Sequence, residues 1–192
     1  MVNTLATPAA HRVFNVATPD AAKVEATLAP MAEVWEALGR VPDPEIPAIS
    51  IVELGIVRKV VRDGPRIEVH VTPTYSGCPA TDVIAQDIVA ALQALGIADV
   101  SVITTLSPPW STDWMAPEAK IKLAAYGIAP PACTTRRIDV AGISPLRRLP
   151  PVPCPRCGSH ETSLLAQFGS TACKALYRCT ACREPFDYFK PF

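Results

Sequence analysis

No run of 18 apolar residues occurs in the chain, so no segment has the length that a membrane-spanning helix requires. No N-terminal stretch joins basic residues to an apolar core of about 7–15 residues, so a secretory leader is not expected. Histidine is scarce: His11, His70 and His160 are the full set. None lies in a stretch predicted to reach a candidate nucleophile, which leaves thiol catalysis without an evident base. The Glu-x-x-His pair of di-iron carboxylate centres is missing, as is the G-x-G-x-x-G of flavin and nicotinamide sites. Net charge is zero, with 18 Lys/Arg against 18 Asp/Glu, so the chain as a whole lacks the basic surplus of a nucleic-acid-binding protein.

What is present divides the chain. Residues 1–129 carry nine Lys/Arg and 14 Asp/Glu, a net −5, and residues 130–192 carry nine against four, a net +5. Such polarity marks two physically distinct halves. Prolines number 21 and cysteines seven. An odd cysteine count cannot be fully paired, and in a reducing cytoplasm, the simplest compartment here, cysteine clusters read as metal sites or reactive thiols.

Residues 1–23 show no sustained period, and residues 1–29 form an N-terminal arm. Pro30 precedes Met31, Val34, Trp35 and Leu38, whose spacing predicts one buried helix face ending at Gly39. Val41-Pro42-Asp43-Pro44-Glu45-Ile46-Pro47 follows. Its three prolines forbid a helix and stiffen the path, so Asp43 and Glu45 project from a defined place. A solvated acidic loop is the plainer alternative. Asp63-Gly64 is a hairpin turn signal between a strand ending near Val61 and its partner Ile67–Thr72. In that partner Ile67, Val69 and Val71 share one face and His70 lies on the other. Ile84, Ile88, Ala91, Leu92 and Leu95 predict a second helix, Val100, Val102 and Thr104 a third strand, and Pro117–Tyr126 a short helix stopped by Gly127. A strand that follows a crossover helix lies parallel to an earlier one. The expected fold is therefore α/β of the α+β kind, a small mixed sheet with helices on one face. The paired Trp110/Trp114 loop and a hairpin edge suggest self-association or partner docking. Residues 30–127 thus form one domain, 128–150 a Pro/Arg-rich linker that contains Cys133, and 151–192 a separate tail.

The second helix is entered through Thr72-Pro73-Thr74-Tyr75-Ser76-Gly77-Cys78-Pro79. Pro is favoured at the first helical position. A helix starting at Pro79 would make Cys78 its N-cap, where the dipole and free amides favour a thiolate. The alternative is a small buried hydrophobe in a turn.

Cys154-Pro155-Arg156-Cys157 and Cys179-Thr180-Ala181-Cys182 are two C-x-x-C knuckles with 21 residues between them. Four thiolates satisfy tetrahedral zinc and leave no open position, so the ion is structural. In a tail with so little core, metal binding is the folding energy. Rubredoxin-like iron, an iron–sulfur cluster or a redox pair would use the same residues. Cys173, six residues before Cys179, falls outside knuckle spacing and reads as a packed or free thiol. The basic residues of the tail, among them Arg156, Arg178 and Arg183, raise a nucleic-acid ribbon as one alternative. The tail's Glu184–Phe189 mixes acids with aromatics and fits a protein contact at least as well.

Asp43-Pro44-Glu45-Ile46-Pro47, Leu54-Gly55-Ile56-Val57 and Thr74-Tyr75-Ser76-Gly77-Cys78-Pro79 together resemble the domain shared by cytosolic iron–sulfur assembly factors and SufT-type proteins. Phe168-Gly169-Ser170-Thr171-Ala172-Cys173-Lys174-Ala175-Leu176-Tyr177-Arg178-Cys179, inside a ribbon ending Glu184–Lys190, resembles the PaaD family of bacterial phenylacetyl-CoA epoxidase systems. The resemblance covers residues 30–190. It implies an α/β domain with a zinc-binding tail and an accessory, non-catalytic part in phenylacetate degradation, alongside a di-iron oxygenase and an iron–sulfur flavin reductase. Assembly of a metal or iron–sulfur centre is the implied task, with iron or a cluster held transiently. By the family motif Asp43, Glu45, Thr74 and Cys78 are the candidate functional group. A cysteine-dependent thiol enzyme and a nucleic-acid-binding regulator are the competing readings.

Overall fold

The structure is a computed structural model that describes residues 13–15, 29–131 and 151–192. The rest of the predicted arm, most of the 128–150 linker and Cys133 lie outside the described residues.

Pro30 fixes an extended entry into helix α1 (Met31–Gly39), and its carbonyl accepts the amides of Glu33 and Val34 at 3.0 and 3.2 Å. Val34, Ala37 and Leu38 are buried, whereas Trp35 is 38% exposed. The predicted stripe is therefore too wide. Trp35 lies about 100° round the helix from Val34, and Ala37 completes the inward face in its place.

Strand β1 (Val13–Asn15) falls within the predicted arm and pairs antiparallel with strand β4 (Val100–Thr104). Strands β2 (Val57–Asp63) and β3 (Arg66–Val71) form the expected hairpin, and Gly64 at its turn has φ +57°. Helix α2 (Thr81–Gln93) crosses over the sheet, and β4 returns parallel to β3 with Ile67 opposite Val100 and Val71 opposite Thr104. The order is β1-β4-β3-β2, the small mixed sheet the pattern predicts. Ile67, Val69 and Val71 are at most 1% exposed and share one core with Ile84, Ile88 and Leu92 of α2. Each fully buried aliphatic side chain contributes about 1.5–3 kcal/mol.

Helix α3 (Pro117–Tyr126) ends at Gly127 with φ +92°. Strand β5 (Ile128–Ala129) follows at once. It pairs with β8 (Pro185–Phe189) in the sheet that β7 (Lys174–Cys179) and β6 (Thr162–Ala166) complete, in the order β5-β8-β7-β6. The tail sheet is thus built partly from residues that directly follow the first domain's last helix. Phe189 is 1% exposed and belongs to the first domain's core cluster. Its ring lies 5.9 Å from that of Trp110, and the Phe192 ring lies 6.2 Å from that of Trp110. The Phe192 carbonyl accepts from Ser111 Oγ and Thr112 N at 3.1 and 3.3 Å. Trp110, expected to face a partner, is 4% exposed and is consumed by this internal docking.

The same loop clamps the turn before β2. Trp110 Nε1 donates to the Leu54 carbonyl at 3.2 Å and Ala116 N to the Glu53 carbonyl at 2.8 Å. Gly55, at φ +77°, sits beneath it, where an added Cβ would come 2.5 Å from the Trp114 carbonyl oxygen. Gly55→Ala should therefore destabilise the protein by on the order of 2 kcal/mol or more, read as a lower urea midpoint. At Gly64 nothing lies within 4 Å of an added Cβ. Gly64→Ala should therefore cost only the left-handed backbone penalty of about 1–2 kcal/mol. Equal losses at the two positions would contradict the clamp.

Candidate functional site

Two sites lie at opposite ends of β7. At its C-terminal end are the cysteine knuckles. Cys154 N donates to Ser159 O at 2.9 Å and Gly158 N to Cys154 O at 2.9 Å, with Gly158 at φ +72°. In the second knuckle Cys179 N donates to Glu184 O at 3.0 Å, and the residue after the last cysteine, Arg183, takes φ +67°. Both knuckles therefore turn on a left-handed residue just past their second sulfur. The Sγ pairs Cys154–Cys182 and Cys157–Cys179 lie 3.8 and 3.6 Å apart, and all four sulfurs lie within 4.8 Å of one another. Zinc with bonds of about 2.3 Å in a tetrahedron needs sulfurs about 3.8 Å apart, so the donor set fits the ion. Bound there, zinc supplies a four-point cross-link. The Cys182 amide donates to Cys179 Sγ at 3.5 Å, a contact that favours the thiolate a metal requires.

The second site is assembled from three segments. In the proline loop Asp43 is 6% exposed, and its Oδ1 accepts the amides of Glu45 and Ile46 at 2.9 and 2.8 Å. This Asx-type turn aims the half-buried Glu45. Asp43 N donates to the Ile49 carbonyl at 2.9 Å and closes the loop. Burial raises the Asp43 carboxyl above its ordinary value; the Ile46 and Glu45 amides oppose this and the Glu45 charge adds to it.

The elbow supplies buried Thr74 and half-buried Cys78. Helix α2 begins at Thr81 with Ala80 as its cap, two residues later than the Pro79 start that the sequence suggests. The Cys78 carbonyl accepts from Thr81 Oγ1 at 2.8 Å and Thr81 N at 3.3 Å, and Cys78 N donates to Tyr75 O at 3.2 Å. The thiolate expectation is reversed. Burial pushes the Cys78 thiol up, the negative charges of Glu45 and Asp43 add to this, and the Ala80 amide only partly offsets them.

The third segment was not expected at this site. Cys173 is 3% exposed, its thiol donates to Glu45 Oε2 at 3.6 Å, and Thr171 Oγ1 lies 3.0 Å from its sulfur. Burial raises its thiol to about 11. Asp43, Glu45, Thr74, Cys78, Cys173 and Phe189 line one cavity of about 10 Å³, space for roughly one water molecule. The four candidates named from the sequence thus converge. Strand geometry was the available signal for the fifth residue. Cys173 stands one strand length, about 20 Å, from the knuckle at Cys179, too far for the zinc site and at the end of β7 that faces the first domain. Among the described residues no histidine lines the cavity, and His70 lies on β3 with its Nε2 4.0 Å from Glu68.

An α+β domain with a thiol and carboxylates at a strand-to-helix elbow is joined to a four-cysteine ribbon, and a family model matches each of the two parts. Residues 31–103 match the family model described as iron–sulfur cluster assembly protein. Residues 141–190 match the model described as the PaaD zinc beta ribbon domain. The chain is 51% identical over 168 residues to an Escherichia coli (strain K12) protein whose name makes it a subunit of a "Putative 1,2-phenylacetyl-CoA epoxidase", an alignment covering 86% of this chain and 96% of that protein. The chain belongs to the PaaD family. Its first domain is also 41% identical over 83 residues to the Fe-S protein maturation auxiliary factor SufT of Staphylococcus aureus (strain USA300), covering 42% of this chain and 93% of that protein. The crystal structure of a domain of unknown function, DUF59, from Bacillus anthracis aligns at TM-score 0.45 and 32% identity, over 48% of this chain and 89% of that one.

Two outcomes test this geometry. Asp43→Asn keeps the oxygen that accepts both amides and removes the buried charge. Because the Asp43 carboxyl is raised in the folded state, the folded protein holds its proton above the ordinary value of 3.8. Wild-type stability contributed by Asp43 is then present at low pH and lost as pH rises through the raised value. The variant should gain stability over wild type near pH 7 and show no such gain near pH 4, read by urea unfolding; an equal difference at both pH values would contradict it. Cys173 should react slowly with iodoacetamide while the ribbon is zinc-loaded. Stripping the zinc should speed its labelling about tenfold or more, followed by peptide mass spectrometry. An unchanged rate would uncouple the ribbon from the elbow.

Proposed function

We propose that this chain is a non-catalytic accessory subunit of a cytoplasmic phenylacetyl-CoA epoxidase system, acting in the maturation of the metal or iron–sulfur centre of its oxygenase or reductase. The observation that carries this reading is the convergence of Cys78, Glu45 and Asp43 on one small cavity within an iron–sulfur-assembly-type domain. Family membership directs the reading to phenylacetate degradation.

The residues divide the work. Asp43 is engaged with two backbone amides, so it positions Glu45 and does not itself offer both oxygens. Glu45 brings a hard oxygen donor and Cys78 a soft sulfur donor to the same space. A mixed, incompletely filled ligand set binds borderline metals without the closure of the four-cysteine ribbon, which suits passing a metal on and suits storage poorly. Thr74 and Phe189 close the walls and limit water. A thiol-enzyme reading would need a base beside Cys78, and among the described residues no histidine lines the cavity.

The test is co-expression of the oxygenase and reductase with wild-type chain or Cys78→Ser. The variant should fold and keep its ribbon metal, while the iron recovered in the client subunits and their epoxidation activity fall several-fold. Unchanged iron content and activity would sink the proposal.

A further inference from the structure

We propose that the ribbon supplies half of the elbow site: Cys173 joins Cys78 and Glu45 as a three-ligand site for one divalent transition-metal ion, with a fourth position left open. The inference rests on the reading of the elbow as a metal-handling site and adds the ligand set, the nuclearity and the part the ribbon plays.

Three observations lead there. Cys173 Sγ is 3.6 Å from Glu45 Oε2, a contact between residues 128 apart in sequence that spans both halves of the molecule. Cys78 and Cys173 line the same cavity, and at about 10 Å³ that cavity admits one small occupant. Three side-chain ligands facing one small space match a single ion. Finally, Cys173 is held from three directions: Thr171 Oγ1 meets its sulfur at 3.0 Å, its carbonyl accepts the Lys190 amide at 3.0 Å, and Phe189 beside it is in the first domain's core. A thiol needed only as filler would not require a carboxylate neighbour.

Two thiolates with one carboxylate suit a borderline ion such as Fe(II). Binding replaces two thiol protons, which pass to solvent, and forms two metal–sulfur bonds and one metal–oxygen bond. Three protein ligands leave one position for a client's ligand, whereas the knuckle quartet leaves none. Among the described residues the knuckle quartet is the group whose ligand atoms all lie within 4.8 Å of one another. The elbow triad is wider and closes on an ion by rotation of the Cys78 and Glu45 side chains, which keeps the affinity low enough for release.

The experiment uses the full chain carrying one zinc, titrated anaerobically with Co(II) alone and followed by thiolate-to-cobalt charge-transfer absorption, with zinc content measured throughout. One cobalt per chain beyond the zinc is expected. Cys78→Ser and Cys173→Ser should each halve the absorption per cobalt and weaken binding about tenfold or more. Glu45→Gln should keep the absorption and weaken binding about tenfold. Cys173→Ser titrating like wild type would overturn the composite site while leaving the Cys78 maturation role standing or falling on client iron. A second measurement needs no variant: cobalt-edge X-ray absorption should place two sulfurs in the shell of the added ion. One sulfur only, or no cobalt beyond exchange with the zinc, would overturn the proposal.

Discussion

The contact on which the rest depends is the seating of Phe189 against Trp110. Phe189 closes β8, Trp110 belongs to the loop that also holds the Leu54 and Glu53 carbonyls, and their rings meet 5.9 Å apart inside a common core. Through it the ribbon becomes a wall of the first domain instead of a tethered appendage. Removing a buried aromatic of this size typically costs about 3–5 kcal/mol. Here the loss would also release Cys173, because the Lys190 amide beside Phe189 is what binds the Cys173 carbonyl.

The two metal-type sites then have complementary logic. The knuckle quartet is closed, locally encoded and fits zinc by its sulfur spacing, and zinc bound there would fix the C-terminal end of β7. The elbow is open, assembled from distant segments, and its thiols are held protonated by burial and by the charge of Glu45. A protonated, partly desolvated thiol pair is a poor nucleophile, and a metal bound as proposed would have to displace those protons.

Local features were readable and distant ones were not. The knuckles follow from ligand spacing, the β2–β3 hairpin from Asp63-Gly64, and the parallel return of β4 from the crossover helix. The helical face of α1 was read one residue too wide, because whether Trp35 or Ala37 faces inward is decided by what packs on the helix. The thiolate expected at Cys78 fails for two reasons. The helix dipole acts within its first turn, and α2 starts at Thr81; burial then pushes the thiol up, and the two carboxylates brought from the proline loop add to it. Trp110 was readable as an anchor, but its partner proved to be the chain's own C-terminal ribbon. Cys173 was invisible as a site residue because its partner Glu45 lies 128 residues away, and no local period encodes such a contact.

The claim at the centre is that exchangeable metal resides at the elbow and not in the ribbon. Iron K-edge X-ray absorption on zinc-replete protein given one equivalent of Fe(II) anaerobically separates the two directly. A shell mixing oxygen with fewer than four sulfurs, while zinc remains at one per chain, is the expected result. Iron surrounded by four sulfurs, with zinc displaced, would place the metal in the ribbon and contradict it.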